Sequence, residues 1–141
     1  MRVRMGVVTR SAVPLARHLL RVRDLMDRAY AEDLDVVGLA ASAGVSRAHF
    51  SRCFKQAFGE TPHQYLLSRR LERAKALLRD NKLSVTDVCV AVGFSSLGSF
   101  STQFRRRVGD SPTGYRERAV LDTALARVPS CFVRMWTRPR G

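Results

Sequence analysis

Arg47, Ala48, Ser51, Arg52 and Lys55 fall on one side of a helical pattern whose other side holds Phe50, Phe54 and Phe58. Groups of this kind read base edges and phosphates. The guanidinium of Arg52 can donate two parallel hydrogen bonds to guanine O6 and N7, and the Ala48 methyl can touch a thymine methyl. Arg47 suits a guanine or a phosphate, and Lys55 a phosphate. About one repeat later, Ser96, Gly98, Ser99, Thr102, Arg105 and Arg106 lie opposite Phe100 and Phe104. This second set is poorer in base-reading groups. Gly98 offers no side chain, Ser99 and Thr102 make single ambiguous contacts, and Arg105 and Arg106 sit near a helix end, where phosphates are closer than bases. A charge on a helix face is ordinarily just solvated, so these sets gain meaning only from the charge balance and the architecture.

Other chemistry is not visible. Cys53, Cys89 and Cys131 are odd in number, far apart and lack a CxxC pair, which argues against a zinc site or a disulfide framework. His18, His49 and His63 stand near no cysteine pair. Cys53 is placed on the inward side of its helix and Cys89 within a short helix, both as small core residues. No Ser/His/Asp cluster and no phosphate-cradling glycine loop is present, so no catalytic residue, metal or cofactor is assigned and the chain is read as a non-enzyme.

Charge points the same way as the helix faces. Lys and Arg number 25 against 12 Asp and Glu, a formal net charge of +13 in 141 residues. Only Lys55, Lys75 and Lys82 are lysines. Such an excess predicts a polyanionic partner, with nucleic acid ahead of an acidic membrane surface. No apolar run approaches the roughly 18 residues of a membrane span. The N-terminus lacks the apolar core of a signal peptide. A cytoplasmic, nucleoid-associated location is expected.

The elements that must position these side chains read as helices throughout. Leu15, Leu19, Val22, Met26 and Ala29 make a stripe that predicts a helix over about 15–31. A short helix follows Asp35 and ends at Gly44. A third starts after Ser46, with Phe50, Phe54 and Phe58 inward and Cys53 and Ala57 beside them, and stops at Gly59. Thr61 and Pro62 open a fourth that runs to about Asp80, with Leu67, Leu71, Ala74 and Leu78 on one stripe. Ser84 caps a short helix ending at Gly93. Ser95 or Ser96 caps the next, with Leu97, Phe100, Phe104 and Val108 inward, up to Gly109. Ser111 and Pro112 start the last.

The pattern repeats. Gly44-Val-Ser matches Gly93-Phe-Ser at an offset of 49, and Phe50, Phe54, Gly59, Thr61, Pro62 and Tyr65 match Phe100, Phe104, Gly109, Ser111, Pro112 and Tyr115 at an offset of 50. Each copy is a short helix, a glycine turn and a longer helix, the helix-turn-helix pattern. The expected architecture is all-α, about seven helices, with two homeodomain-like helix-turn-helix units joined by a long linker helix. We divide the chain into a basic N-terminal tail (1–14), a double-unit domain (15–118: first unit about 15–60, linker about 62–80, second unit about 84–118) and a C-terminal extension (119–141). The linker would be roughly 28 Å long, and successive major grooves on one face of DNA are about 34 Å apart. One chain could therefore serve two adjacent grooves. The apolar stretch from Val128 to Trp136 is expected to pack across the domain's own surface.

The segment Gly93-Phe-Ser-Ser-Leu-Gly-Ser-Phe-Ser-Thr-Gln-Phe-Arg-Arg-Arg-Val-Gly-Asp-Ser-Pro-Thr-Gly-Tyr-Arg116 resembles the signature of the AraC/XylS family of bacterial transcription regulators. Arg70-Leu71-Glu72-Arg73-Ala74 with Leu77 and Leu78 resembles the family's linker helix. The resemblance covers about Leu34 to Arg118. It implies binding to double-stranded DNA, contact with RNA polymerase and, most often, activation. By position it implies Ala48, Ser51 and Arg52 as base readers in the first unit, and Gly98, Ser99 and Thr102 in the second. Many members carry a larger residue where this chain has Ala48 and an arginine where it has Thr102. With only about 33 residues before the matched region, the chain is similar to the standalone, MarA/SoxS-like members, and a monomer is expected. The competing readings are an AraC-type fragment of a larger regulator or DNA-repair protein, and a sequence-neutral architectural DNA-binding protein.

Overall fold

The computed structural model describes residues 4–127, with side chains from residue 15 onward. The apolar stretch from Val128 to Trp136 lies outside the described residues. Seven helices follow one another: α1 (Arg4–Arg28), α2 (Val36–Ser42), α3 (Arg47–Phe58), α4 (Pro62–Asp80), α5 (Val85–Ala91), α6 (Leu97–Val108) and α7 (Pro112–Ala126). No strand occurs among the described residues. The described residues form two compact units, divided between Arg73 and Ala74. α4 runs from the first into the second.

Local chemistry sets the helix ends. Ser46, Ser84, Ser96 and Ser111 cap α3, α5, α6 and α7, each hydroxyl accepting from the backbone N–H three residues on. α4 opens with a reciprocal pair: Gln64 N–H donates to Thr61 Oγ1 and Thr61 N–H to Gln64 Oε1. The turn between the two helices of each pair depends on Gly44 and Gly93, at φ +74° and +93°. A side chain there would strain against its own backbone, so glycine is the residue that lets the second helix start so soon.

The core of the first unit gathers Leu19, Val22 and Met26 of α1, Ala40 of α2, Phe50 and Phe54 of α3 and Leu66 of α4. In the second, Ala74, Leu78, Val88, Cys89, Val92, Phe100 and Phe104 are buried. The duplication extends further than the sequence motif. Leu19, Val22 and Met26 recur as Leu71, Ala74 and Leu78 at an offset of 52, and all six are buried. Aromatic geometry repeats as well. Phe54 and Tyr65 meet edge-on at 5.6 Å and 75°, and Phe104 and Tyr115 at 5.6 Å and 74°. The tyrosine hydroxyls differ: Tyr65 donates to Asp27 Oδ1 at 2.7 Å, whereas Tyr115 accepts from Arg79 Nη1 at 2.9 Å. Burial and the Asp27 partner raise the Tyr65 pKa above its ordinary value.

Several expectations shift. α1 begins at Arg4, so residues 4–14, expected as a tail, are helical, Pro14 included. α1 also ends at Arg28 rather than near Ala31. On α4, Leu66 is buried and Leu67 is half-buried. A single stripe does not describe this helix, because its first turns serve the first unit's core and its last turns belong to the second unit. Ala57 is exposed. Leu97, expected inward, is 43% exposed because it sits in the first turn of α6, before the core that receives Phe100 and Phe104. α7 continues to Ala126, eight residues past the boundary placed at 118. Cys89 is buried, as expected of a core residue, and burial pushes its thiol pKa up. Cys53 is half-buried against the first unit's core.

Phe50→Ala and Phe100→Ala should each destabilise the unit that holds them by about 3–5 kcal/mol, the usual cost of emptying a buried phenylalanine site. Urea unfolding measures this; a loss below about 1 kcal/mol at either position would show that its unit does not rest on that ring.

Candidate nucleic-acid interface

Each unit buries one face of its longer helix and leaves the other in solvent. In α3, Phe50 and Phe54 are wholly buried, with ring centroids 6.2 Å apart. Arg23 of α1 stacks over Phe58 at 4.9 Å and closes the inner side. Opposite, Arg47, Ala48, Arg52 and Lys55 are exposed and Ser51 is half-buried. The short helix before it is held by His18, whose Nε2 donates to the Leu39 carbonyl at 2.8 Å and whose ring meets Phe50 edge-on. Arg70 fixes the connection from α1 to α2, donating to the carbonyls of Tyr30 and Glu32 at 2.6 and 2.9 Å. Its partial burial lowers its pKa, and Asp33 opposes that shift.

In α6, Phe100 and Phe104 are wholly buried at 5.7 Å, and Phe94 packs on Phe100 at 5.2 Å. Ser96, Gly98, Ser99, Thr102, Arg105 and Arg106 are all exposed. Ser96 has a structural task, because its hydroxyl accepts from Ser99 N–H at 3.0 Å and caps the helix. Behind the helix, Arg118 pairs with Asp110 at 2.5 Å, and Arg116 donates to the Leu83 carbonyl. These arginines secure the scaffold, while Arg105 and Arg106 remain on the outer side of α6.

The structure thus sorts the sequence-derived residues into two sets, one per unit, each on the solvent side of its helix. Two exposed first-turn residues were not in those sets: His49, whose Nε2 lies 3.5 Å from Cys53 Sγ, and Leu97. The repeat itself was the signal that could have found them. At an offset of 50, His49 pairs with Ser99 and Leu97 with Arg47. Electrostatics are uneven in the first unit. Asp24, Asp27, Glu32, Asp33 and Asp35 are exposed within twelve residues. Arg47 lines a hollow of about 400 Å³ together with Asp33, Leu34, Asp35, Val36 and Val37. Carboxylates repel a polyanion, so this edge of the unit is the one least suited to phosphates.

Known proteins agree with this geometry. A family model described as a helix-turn-helix domain matches residues 39–118. The transcriptional regulator CdhR of Pseudomonas aeruginosa is 37% identical over 118 residues, covering 84% of this chain and 34% of CdhR. The transcriptional activator RhaS of Escherichia coli is 38% identical over 88 residues, covering 62% of this chain and 32% of RhaS. Among solved structures, an AraC-type regulator from Chromobacterium violaceum superposes with a TM-score of 0.64 at 34% identity, covering 74% of this chain and 93% of that one. The DNA-binding domain of the global transcriptional factor AdpA, in complex with a target DNA, superposes with a TM-score of 0.61 at 35% identity over 74% of this chain and 91% of its own. The chain belongs to the AraC family of transcriptional regulators.

This AraC-family chain spans about a third of the length of the curated relatives it matches. The family match opens inside α2 and closes inside α7, so it takes in both glycine turns and both exposed helix faces. It leaves out α1, although Leu19, Val22 and Met26 make up a large part of the first core. No helix among the described residues is long and apolar enough to cross a membrane.

Ser96→Ala should cost about 1 kcal/mol of stability by removing the cap of α6. Thermal or urea unfolding of the two proteins gives the comparison, and an unchanged midpoint would mean that the hydroxyl is free for another task.

Proposed function

We propose that the chain is a sequence-specific double-stranded-DNA-binding transcriptional regulator that inserts α3 and α6 into major grooves. The observation that carries this is the duplicated helix pair, each copy presenting an exposed polar face opposite two buried phenylalanines, in a chain of net charge +13. A groove about 12 Å wide admits one such helix. Arg52, Ala48 and Ser51 read bases from α3, with Arg47 and Lys55 on base or backbone. Ser96, Gly98, Ser99 and Thr102 face the second groove, and Arg105 and Arg106 clamp phosphates. Having two reading helices on one chain supports binding as a monomer, to a site of roughly 20 base pairs without two-fold symmetry. The activator RhaS among the relatives supports recruitment of RNA polymerase as the output, and the cytoplasmic nucleoid is the compartment that fits it.

The two faces divide the work unequally. Arg52 supplies a guanidinium fork where the second unit has Thr102, and Gly98 supplies no side chain at all. Arg52→Ala should cost about 1–3 kcal/mol on the preferred site and relax specificity at one base. Thr102→Ala should cost less and leave base preference nearly intact. Arg105→Ala should weaken all sequences alike and lower the salt slope by about one. Binding of the three variants to a panel of single-base-substituted sites at fixed salt tests the division, and a larger loss of specificity for Thr102→Ala than for Arg52→Ala would reverse it.

Neutralising roughly six phosphates gives a log–log salt slope near −5 for the wild-type chain. A slope shallower than about −2 would detach the positive charge from binding. Competition against random duplex separates a regulator from a sequence-neutral binder, which would hold every duplex equally. Sedimentation of the complex should find one chain on the site; an obligatory pair of chains contradicts the monomer.

A further inference from the structure

α3 and α6 present the same positions to solvent. At an offset of 50, exposed, half-buried and buried residues coincide one for one from Arg47–Phe58 to Leu97–Val108. A groove-side position on one helix therefore has a counterpart on the other. Ser99 belongs to the set that faces the second groove, yet its counterpart His49 belongs to no set. The angle around α3 brings it in. At about 100° per residue, Arg52 lies opposite the midpoint of Phe50 and Phe54, Ala48 and Gln56 lie about 40° from that outward direction, and His49 and Lys55 about 60°. Arg47 lies about 140° from it by the same count. It reaches solvent as the first residue of the helix, beside the hollow that Asp33 and Asp35 line.

We propose, on the reading that α3 lies in a major groove, that His49 determines specificity at the base pair next to the one read by Arg52, with Cys53 as the residue that positions its ring. His49 is in the first turn of α3, and the N-terminal residues of a reading helix are the ones that contact base edges. Its Nε2 lies 3.5 Å from Cys53 Sγ, one turn on. Cys53 is half-buried against the first core, so this contact ties the ring to a fixed point. A held ring loses less freedom on binding than the long side chains of Arg52 and Lys55. Nδ1 has no hydrogen-bond partner among the described residues. A neutral imidazole carries one donor and one acceptor. When the thiol donates to Nε2, the ring proton is on Nδ1, and its acceptors in the groove are purine N7, guanine O6 and thymine O4. His49 and Arg52 are separated by about 4.5 Å of helix rise, close to the roughly 3.4 Å spacing of bases along a strand. The two side chains thus meet neighbouring base pairs.

The test takes a preferred duplex selected from a randomised pool. Binding of the wild type, His49→Ala, Arg52→Ala, Cys53→Ala and the double variant His49→Ala with Cys53→Ala is measured on that duplex and on its single-base-substituted forms at fixed salt. Discrimination is a ratio of affinities for one protein sample, so any unfolded fraction cancels. His49→Ala should lower discrimination about three- to tenfold, the range of one hydrogen bond, at a pair adjacent to the one that Arg52→Ala relaxes. Discrimination at the Arg52 pair should persist. Cys53→Ala should relax the His49 pair in part and add nothing once His49 is alanine. A His49→Ala protein that weakens every duplex alike, as loss of a phosphate contact would, overturns the role of His49. So does one whose ratios are all unchanged while Arg52→Ala relaxes its own pair, and in both cases α3 remains the reading helix. A Cys53→Ala effect on base preference that persists without His49 overturns the positioning role. A wild-type chain that discriminates at no position overturns the reading of α3 and the role of His49 together.

Discussion

Two phenylalanines one helical turn apart orient each exposed helix, and the rest of the arrangement follows from them. Phe50 with Phe54, and Phe100 with Phe104, are excluded from water altogether. Burying a ring of that size contributes about 1.5–3 kcal/mol, so neither helix can rotate about its axis without losing both. Once the rings are inside, Arg47, Ala48, Arg52 and Lys55 on α3, and Gly98, Ser99, Thr102 and Arg105 on α6, have only the outside left. The edge-on tyrosine behind each pair, Tyr65 or Tyr115, ties the helix to the one that follows it. The same rings thus serve stability and presentation together.

Much of this was legible in the residues. The phenylalanine spacing, the serine caps and the Thr/Ser-Pro openings are local signals, and they placed α2 through α6 close to their observed ends. What failed depended on partners distant in sequence. Leu66 is buried in place of Leu67 because the first turns of α4 meet the core built by α1 and α3, which periodicity within α4 does not reveal. Leu97 lies on the apolar side by angle but precedes the core it was assigned to. The helix expected from the stripe that opens at Leu15 begins eleven residues earlier, at Arg4, and continues through Pro14. The outward face was readable for a simpler reason: what stands opposite a buried ring is exposed. His49 stands outside the first set, although its repeat partner Ser99 is in the second.

The duplication is faithful in the core and loose at the surface, and that contrast carries the functional argument. Buried positions recur as apolar residues from one unit to the other, whereas exposed positions on α3 and α6 diverge: Arg47 against Leu97, Ala48 against Gly98, Arg52 against Thr102. Packing constrains the first group. The second is free of packing and open to selection by whatever it touches. The hydroxyl partners of the two tyrosines, Asp27 and Arg79, differ in sign for the same reason, since the ring contact is kept and the polar end is free to vary.

The central claim is that both exposed helix faces of a single chain engage DNA. Methylation interference on a preferred duplex tests it most directly, because a methyl on guanine N7 blocks the major groove where a helix lies. The account predicts two unlike clusters of interference about one helical turn apart, with the one facing α3 the more base-restricted. A single cluster, or two clusters related by two-fold symmetry, would contradict it.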